Sequence, residues 1–106
     1  MGKLSVYAEN KLLDHVFNTA FTPPATIYLA LCTADPTEAG TGASMSEAPN
    51  SGNYSRKAIT FGAASARRVT QNANVTFDQL TGSLGTATHW ALVDSATHGA
   101  GNMLAF

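Results

Sequence analysis

Residues 10–32 read NKLLDHVFNTAFTPPATIYLALC, from Asn10 to Cys32. Three kinds of backbone follow one another here: the end of a helix, a hinge and a strand. Pro23-Pro24 is the hinge, because it fixes φ at two successive residues and pushes Thr22 into extended backbone. Upstream, Leu4, Ala8, Leu12 and Val16 fall four apart, and Leu13 and Phe17 widen the stripe. Glu9, Asn10, Lys11, Asp14 and His15 fill much of the other side. This spacing predicts an amphipathic helix over about residues 5–18, with Ser5 as its N-cap and Asn18 near its C-terminus. Downstream, Ile27 to Cys32 is short and nearly all apolar, and Thr26, Ile27 and Tyr28 favour β structure. With no polar alternation, this run is expected to be a central strand covered on both faces, one cover being the helix.

Beyond Cys32 the chain reads as short strands between long polar links. Residues 33–53 carry Thr, Gly, Ala, Ser, Pro, Asn and Glu without periodicity, with turns at Asp35-Pro36 and Pro49-Asn50-Ser51-Gly52. A loop this long is uncommon in a compact domain and is usually functional or disordered. It is expected to be an arm that orders against a neighbouring subunit, so that deleting residues 38–51 would leave the domain folded. Strands are predicted over 54–61, 73–77, 86–94 and 102–106, each from apolar residues at alternate positions, and residues 62–72 and 78–85 are expected to be links. The last strand ends on Phe106 with no evident partner for its apolar surface. The expected architecture is α+β: one N-terminal helix on a mostly antiparallel sheet or sandwich of about five strands, forming a single domain over 1–106.

Charged residues are only 12% of the chain, about half the usual share of roughly 25%. The net charge of −1 offers no concentrated positive field, which argues against nucleic acid or an anionic membrane as partner. The basic pairs Arg56-Lys57 and Arg67-Arg68 are expected to be solvated strand or turn residues. Cys32 is the lone cysteine, so no internal disulfide can form, and a reducing cytoplasm is expected at the time of folding. Its apolar neighbours mark it as a small buried residue rather than a nucleophile.

No constellation for catalysis stands out. His15, His89 and His98 fall on a helix, a strand and a loop without ligand spacing, so no metal and no cofactor is expected. Asp94 and His98 are four apart across a turn and read as a local hydrogen bond. No G-x-S-x-G elbow frames a serine. Trp90, Tyr28 and Phe61 occupy strand positions where core packing is the expected role.

The runs YAENKLLDHVF, TPPATIYLALCTADPTEAGTG, YSRKAITFGAAS, NVTF and GTATHWALVDSATHGAGNML, in that order, resemble a family of small tailed-phage virion proteins. These are commonly labelled "phage tail fibre protein". The resemblance covers nearly the whole chain. Family members usually continue past the GNML-type segment with a Thr/Val-rich stretch; here the sequence stops at Phe106, so the closing strands are expected to be missing, disordered or replaced relative to the family. It implies a non-enzymatic structural protein of the virion, made in the cytoplasm of the bacterial host. The favoured role is capsid decoration or cement; the alternative is a tail-, neck- or fibre-associated protein involved in host recognition. Expected partners are other virion proteins (the major capsid protein or tail and neck proteins) and copies of itself, as an oligomer set by particle symmetry. The candidate subunit interface comprises Pro36, Met45, Pro49, Tyr54, Met103 and Phe106, from the loop and the free edge of the last strand.

Overall fold

The computed structural model describes residues 3–80 and 85–106; of the link expected over 78–85, residues 81–84 lie outside them. One helix, α1 (Val6–Phe17), precedes four strands, β1 (Ile27–Cys32), β2 (Lys57–Ile59), β3 (His89–Val93) and β4 (Met103–Ala105). The strands form one antiparallel sheet in the order β2-β1-β3-β4. The fold is α+β, as expected, with one strand fewer.

α1 begins where Ser5 takes extended backbone (φ −73°, ψ 164°) and its hydroxyl accepts from the Ala8 N–H at 3.1 Å. A cap of this kind is worth about 1 kcal/mol. The same buried hydroxyl donates to the Met103 carbonyl, tying the helix start to β4. The helix ends at Asn18, whose N–H bonds the Asp14 carbonyl at 2.8 Å.

β1 is central, as its apolar run predicts. Its register pairs Ile27 with Ile59, Tyr28 with Val93, Leu29 with Leu92, Ala30 with Ala91 and Leu31 with Trp90. Directly paired residues share a face. One face therefore carries Tyr28, Ala30, Cys32, Ala91, Val93 and Met103, and the other carries Ile27, Leu29, Leu31, Ile59, Trp90 and Leu92. On the first face, Ala30, Cys32, Ala91, Val93 and Met103 join Met45 in a core at 0% exposure.

The cover on that face is not the helix. α1 packs against β4 at the sheet edge, and the chain's own segment 33–56 covers the core. Alanine and cysteine on the strands leave a hollow that Met45 fills. Ser46–Ala48 runs along the end of β1, with Thr33 N–H donating to the Ser46 carbonyl and Ala48 N–H to the Leu31 carbonyl, both at 2.9 Å. The expected arm is thus part of the monomer. Deleting 38–51 removes Met45 and Ala48 from the core, and loss of the folded far-UV spectrum is the expected outcome.

Two further expectations change. The outer edge of β4 is not free: Lys3 N–H donates to the Phe106 carbonyl at 2.7 Å, Phe106 N–H to Lys3 at 2.9 Å, and Ser5 N–H to Leu104 at 2.9 Å. Residues 62–72, expected as a link, close a hairpin beyond β2, with Phe61 bridged to Gln71 and Ser65 to Arg68. Ala66 (φ 51°) and Arg67 (φ 63°) form its two-residue tip, the left-handed geometry that suits a tight hairpin. Residues 73–77 form no strand; Val75 and Phe77 are half-buried, and Phe77 stacks on Tyr54 with 6.2 Å between centroids.

Candidate functional site

Under the loop, Arg56 meets Glu47 with both side chains buried. Arg56 Nε donates to Glu47 Oε2 at 2.9 Å and Nη2 to Oε1 at 2.7 Å, a bidentate fork. Its remaining N–H groups reach the carbonyls of Ser95 at 2.7 Å, Ala100 at 2.9 Å and Gly42 at 3.2 Å. All five guanidinium donors are therefore used. The Tyr54 hydroxyl donates to Glu47 Oε2 at 2.5 Å and accepts from the Leu31 N–H at 3.1 Å. His98 Nε2 bonds the Ala48 carbonyl at 2.7 Å.

Burial alone would raise the Glu47 carboxyl. The Arg56 and Tyr54 hydrogen bonds and the Arg56 charge outweigh it and hold the group below its ordinary value. Burial, then the hydrogen bond to Glu47, pushes the Tyr54 hydroxyl well above the usual tyrosine value. The Cys32 thiol is pushed up to about 11 by burial and the nearby Glu47 charge. A carboxylate so held is a poor proton acceptor, and a thiol so raised is a poor nucleophile. What the cluster does is clamp the loop to the turn 95–101. Gly42 donates to the Gly101 carbonyl at 3.0 Å. A Cβ there would strike the Ala100 backbone, so the clamp needs glycine at this crossing.

Several expected roles change accordingly. Arg56 is a buried clamp rather than a solvated strand residue. Asp94 bonds Asn102, at N–H (2.7 Å) and Nδ2 (3.0 Å), instead of His98. Of the six residues expected at a subunit interface, Met45, Met103, Tyr54 and Pro36 are buried within the chain, because the loop folds onto its own sheet. Pro49 is exposed and Phe106 is half-buried against the core. The structure does not bring these six together on one surface.

The apolar surface lies elsewhere. On α1 only Ala8 is buried, with Tyr7 and Lys11 half-buried beside it. The helix therefore turns its Tyr7–Ala8–Lys11 side to the body, and the larger residues of its stripe face water. Leu12, Leu13, Val16 and Phe17 are exposed, Val16 to 69% and Phe17 to 81%. The stripe was legible in the sequence, but its direction was not.

A second apolar surface is the uncovered face of the sheet. Ile27, Leu92 and Leu104 floor a cleft of about 930 Å³, with Trp90 and Phe61 along it. The hairpin 60–72 lends Arg67, Arg68 and Val69 to its rim, and Lys3 and Leu4 stand there too. Trp90 and Phe61 were expected in the core and instead line this cleft, while Tyr28 does pack against the core. A third, shallower hollow of about 480 Å³ gathers Tyr7, Phe21 and Tyr28 beside Asp94 and Ser95.

Among the described residues there is no cluster of three or more His, Cys, Asp or Glu that could hold a metal ion. No helix among them is long and apolar enough to cross a membrane. No curated protein and no solved structure matches the chain. A family model described as Podophage GP4 fiber I protein gp80 matches residues 3–106. The chain belongs to this family, one of phage tail-fibre-like virion proteins.

Proposed function

We propose that the chain is a non-enzymatic structural component of a phage fibre, acting through contacts with other virion proteins and with copies of itself. The observation that carries this is the fibre family match across residues 3–106. It shifts weight from capsid decoration, the role favoured by the sequence, to the tail side. The exposed apolar ridge of α1 supports a protein-binding role, since large apolar patches on a soluble chain mark interaction surfaces.

Gold-labelled antibody on purified particles, with copy number by quantitative mass spectrometry, tests the placement. Label on fibres with a few to a few dozen copies is expected. Label on the head, at hundreds of copies in simple ratio to the capsid protein, would return the decoration role.

A second reading, host contact, has one observation in its favour. The hollow at Tyr7, Phe21 and Tyr28 sets aromatic rings beside Asp94 and Ser95, the combination of apolar wall and few polar groups that small-molecule sites use. Normal adsorption of Tyr7→Ala particles to the host would remove it.

A further inference from the structure

The exposed apolar surface divides into two unlike parts. One is convex, the α1 ridge of Leu12, Leu13, Val16 and Phe17. The other is concave, the cleft across the uncovered sheet face. A helix of 12 residues is about 18 Å long, and laying the apolar side of a helix into an apolar groove is a recurrent mode of recognition.

The charges are complementary. Lys3, Arg67 and Arg68 all line the cleft, and no acidic residue does. Among the described residues, no carboxylate lies within ion-pair distance of any of the three. The other body cations are engaged, Arg56 by Glu47 and Lys57 by Asp78. At 3.6 residues per turn Glu9 falls between Val16 and Leu13 on the ridge, exposed and without an ion-pair partner among the described residues, whereas Asp14 lies toward Lys11. The one lysine of α1, Lys11, lies over the Tyr7 ring on the inward side.

We propose that the α1 ridge of one copy docks into the sheet cleft of a second copy, with Glu9 facing Lys3, Arg67 and Arg68. This deepens the fibre reading and rests on it for its setting in the particle. Ridge and cleft are different patches, so the contact is heterologous: each docked pair keeps one vacant cleft and one vacant ridge. Such contacts close into a ring or continue as a filament.

Mixing two variants of the full chain tests this. Val16→Glu with Phe17→Glu disables the ridge, and Arg67→Glu with Arg68→Glu disables the cleft; all four residues are exposed, and circular dichroism checks that each variant stays folded. By light scattering, the wild type is expected above the chain mass of 11.0 kDa and each variant at that mass. The equimolar mixture is expected at twice the chain mass, because one intact ridge and one intact cleft remain. Adding Glu9→Lys to the cleft variant is expected to recover self-association by about 10-fold or more.

A wild type that stays monomeric at millimolar concentration, or a mixture that stays monomeric, overturns the proposal. If the chain is nonetheless found on fibres, the ridge belongs to a different fibre protein and only this contact falls. A chain that assembles as described but is absent from fibres keeps the contact and sinks the fibre reading.

Discussion

The two faces of the sheet are made from the same strands and treated in opposite ways. One carries Ala30, Cys32, Ala91 and Val93, small side chains sealed at 0% exposure by the chain's own loop. The other carries Leu29, Leu31, Trp90 and Leu92, larger side chains left half-buried or exposed along an open cleft. Among the described residues no buried side-chain polar atom lacks a partner, and the loop side holds the most heavily bonded of them, Arg56. Stability is thus concentrated on the loop side, and the capacity for contact on the other side and on α1. Substitutions should separate the two.

The largest effect is expected from Arg56→Ala. It leaves the Glu47 charge buried without its partner, which costs about 3–5 kcal/mol. Urea unfolding reads this directly, and a loss under 1 kcal/mol would mean that the clamp is not what holds the loop. Met45→Ala empties the hollow above Ala30 and Ala91 and is expected to cost about 3 kcal/mol in the same assay.

The pH response is expected to be smaller. Glu47 has a lowered value when folded, so its contribution is present above its ordinary 4.5 and is lost as pH falls through the folded value. Cys32 has a raised value, so its contribution is complete below 9.0 and declines as pH rises toward about 11. Melting temperature against pH should be flat between these limits and fall at both ends, and the Cys32→Ala variant should lose part of the alkaline fall. Smallest of all is Phe17→Ser on the ridge, expected to change unfolding free energy by less than about 0.5 kcal/mol because nothing in the monomer covers that ring. A large loss there would place the ridge in the monomer's own core.

What the sequence made legible follows from periodicity. Ser5, the four-residue spacing from Leu4 to Val16, and Pro23-Pro24 define α1 and its end, and the apolar run at Ile27 marks the central strand. Segment 33–53 has no period, so its two core residues, Met45 and Ala48, are isolated apolar letters in polar surroundings. Its path depends instead on Gly42 crossing the Ala100 backbone and on left-handed residues such as Thr37 and Ser46, at φ 64° and 57°. Neither carries a pattern that can be read in advance. Arg56 and Lys57 are alike as letters, yet Arg56 is buried against Glu47 just before β2 while Lys57 reaches the exposed Asp78. The ridge was visible as a stripe, but only the placement of Ala8 against the body shows that the larger residues point away.

The pairing of Lys3 with Phe106, and of the Ser5 hydroxyl with Met103 across 98 residues of chain, bears on how the molecule is made. In chain order α1 comes first and its docking strand, β4, last of the described elements. Without β4, α1 has its own hydrogen bonds and one from the Val6 N–H to the Glu38 carbonyl at 2.8 Å, and isolated helices of this length are marginal in water. Closing so long a loop is also slow compared with local contacts. The sheet and its helix therefore complete only once β4 has paired, which makes the closing of this long loop a late step of folding.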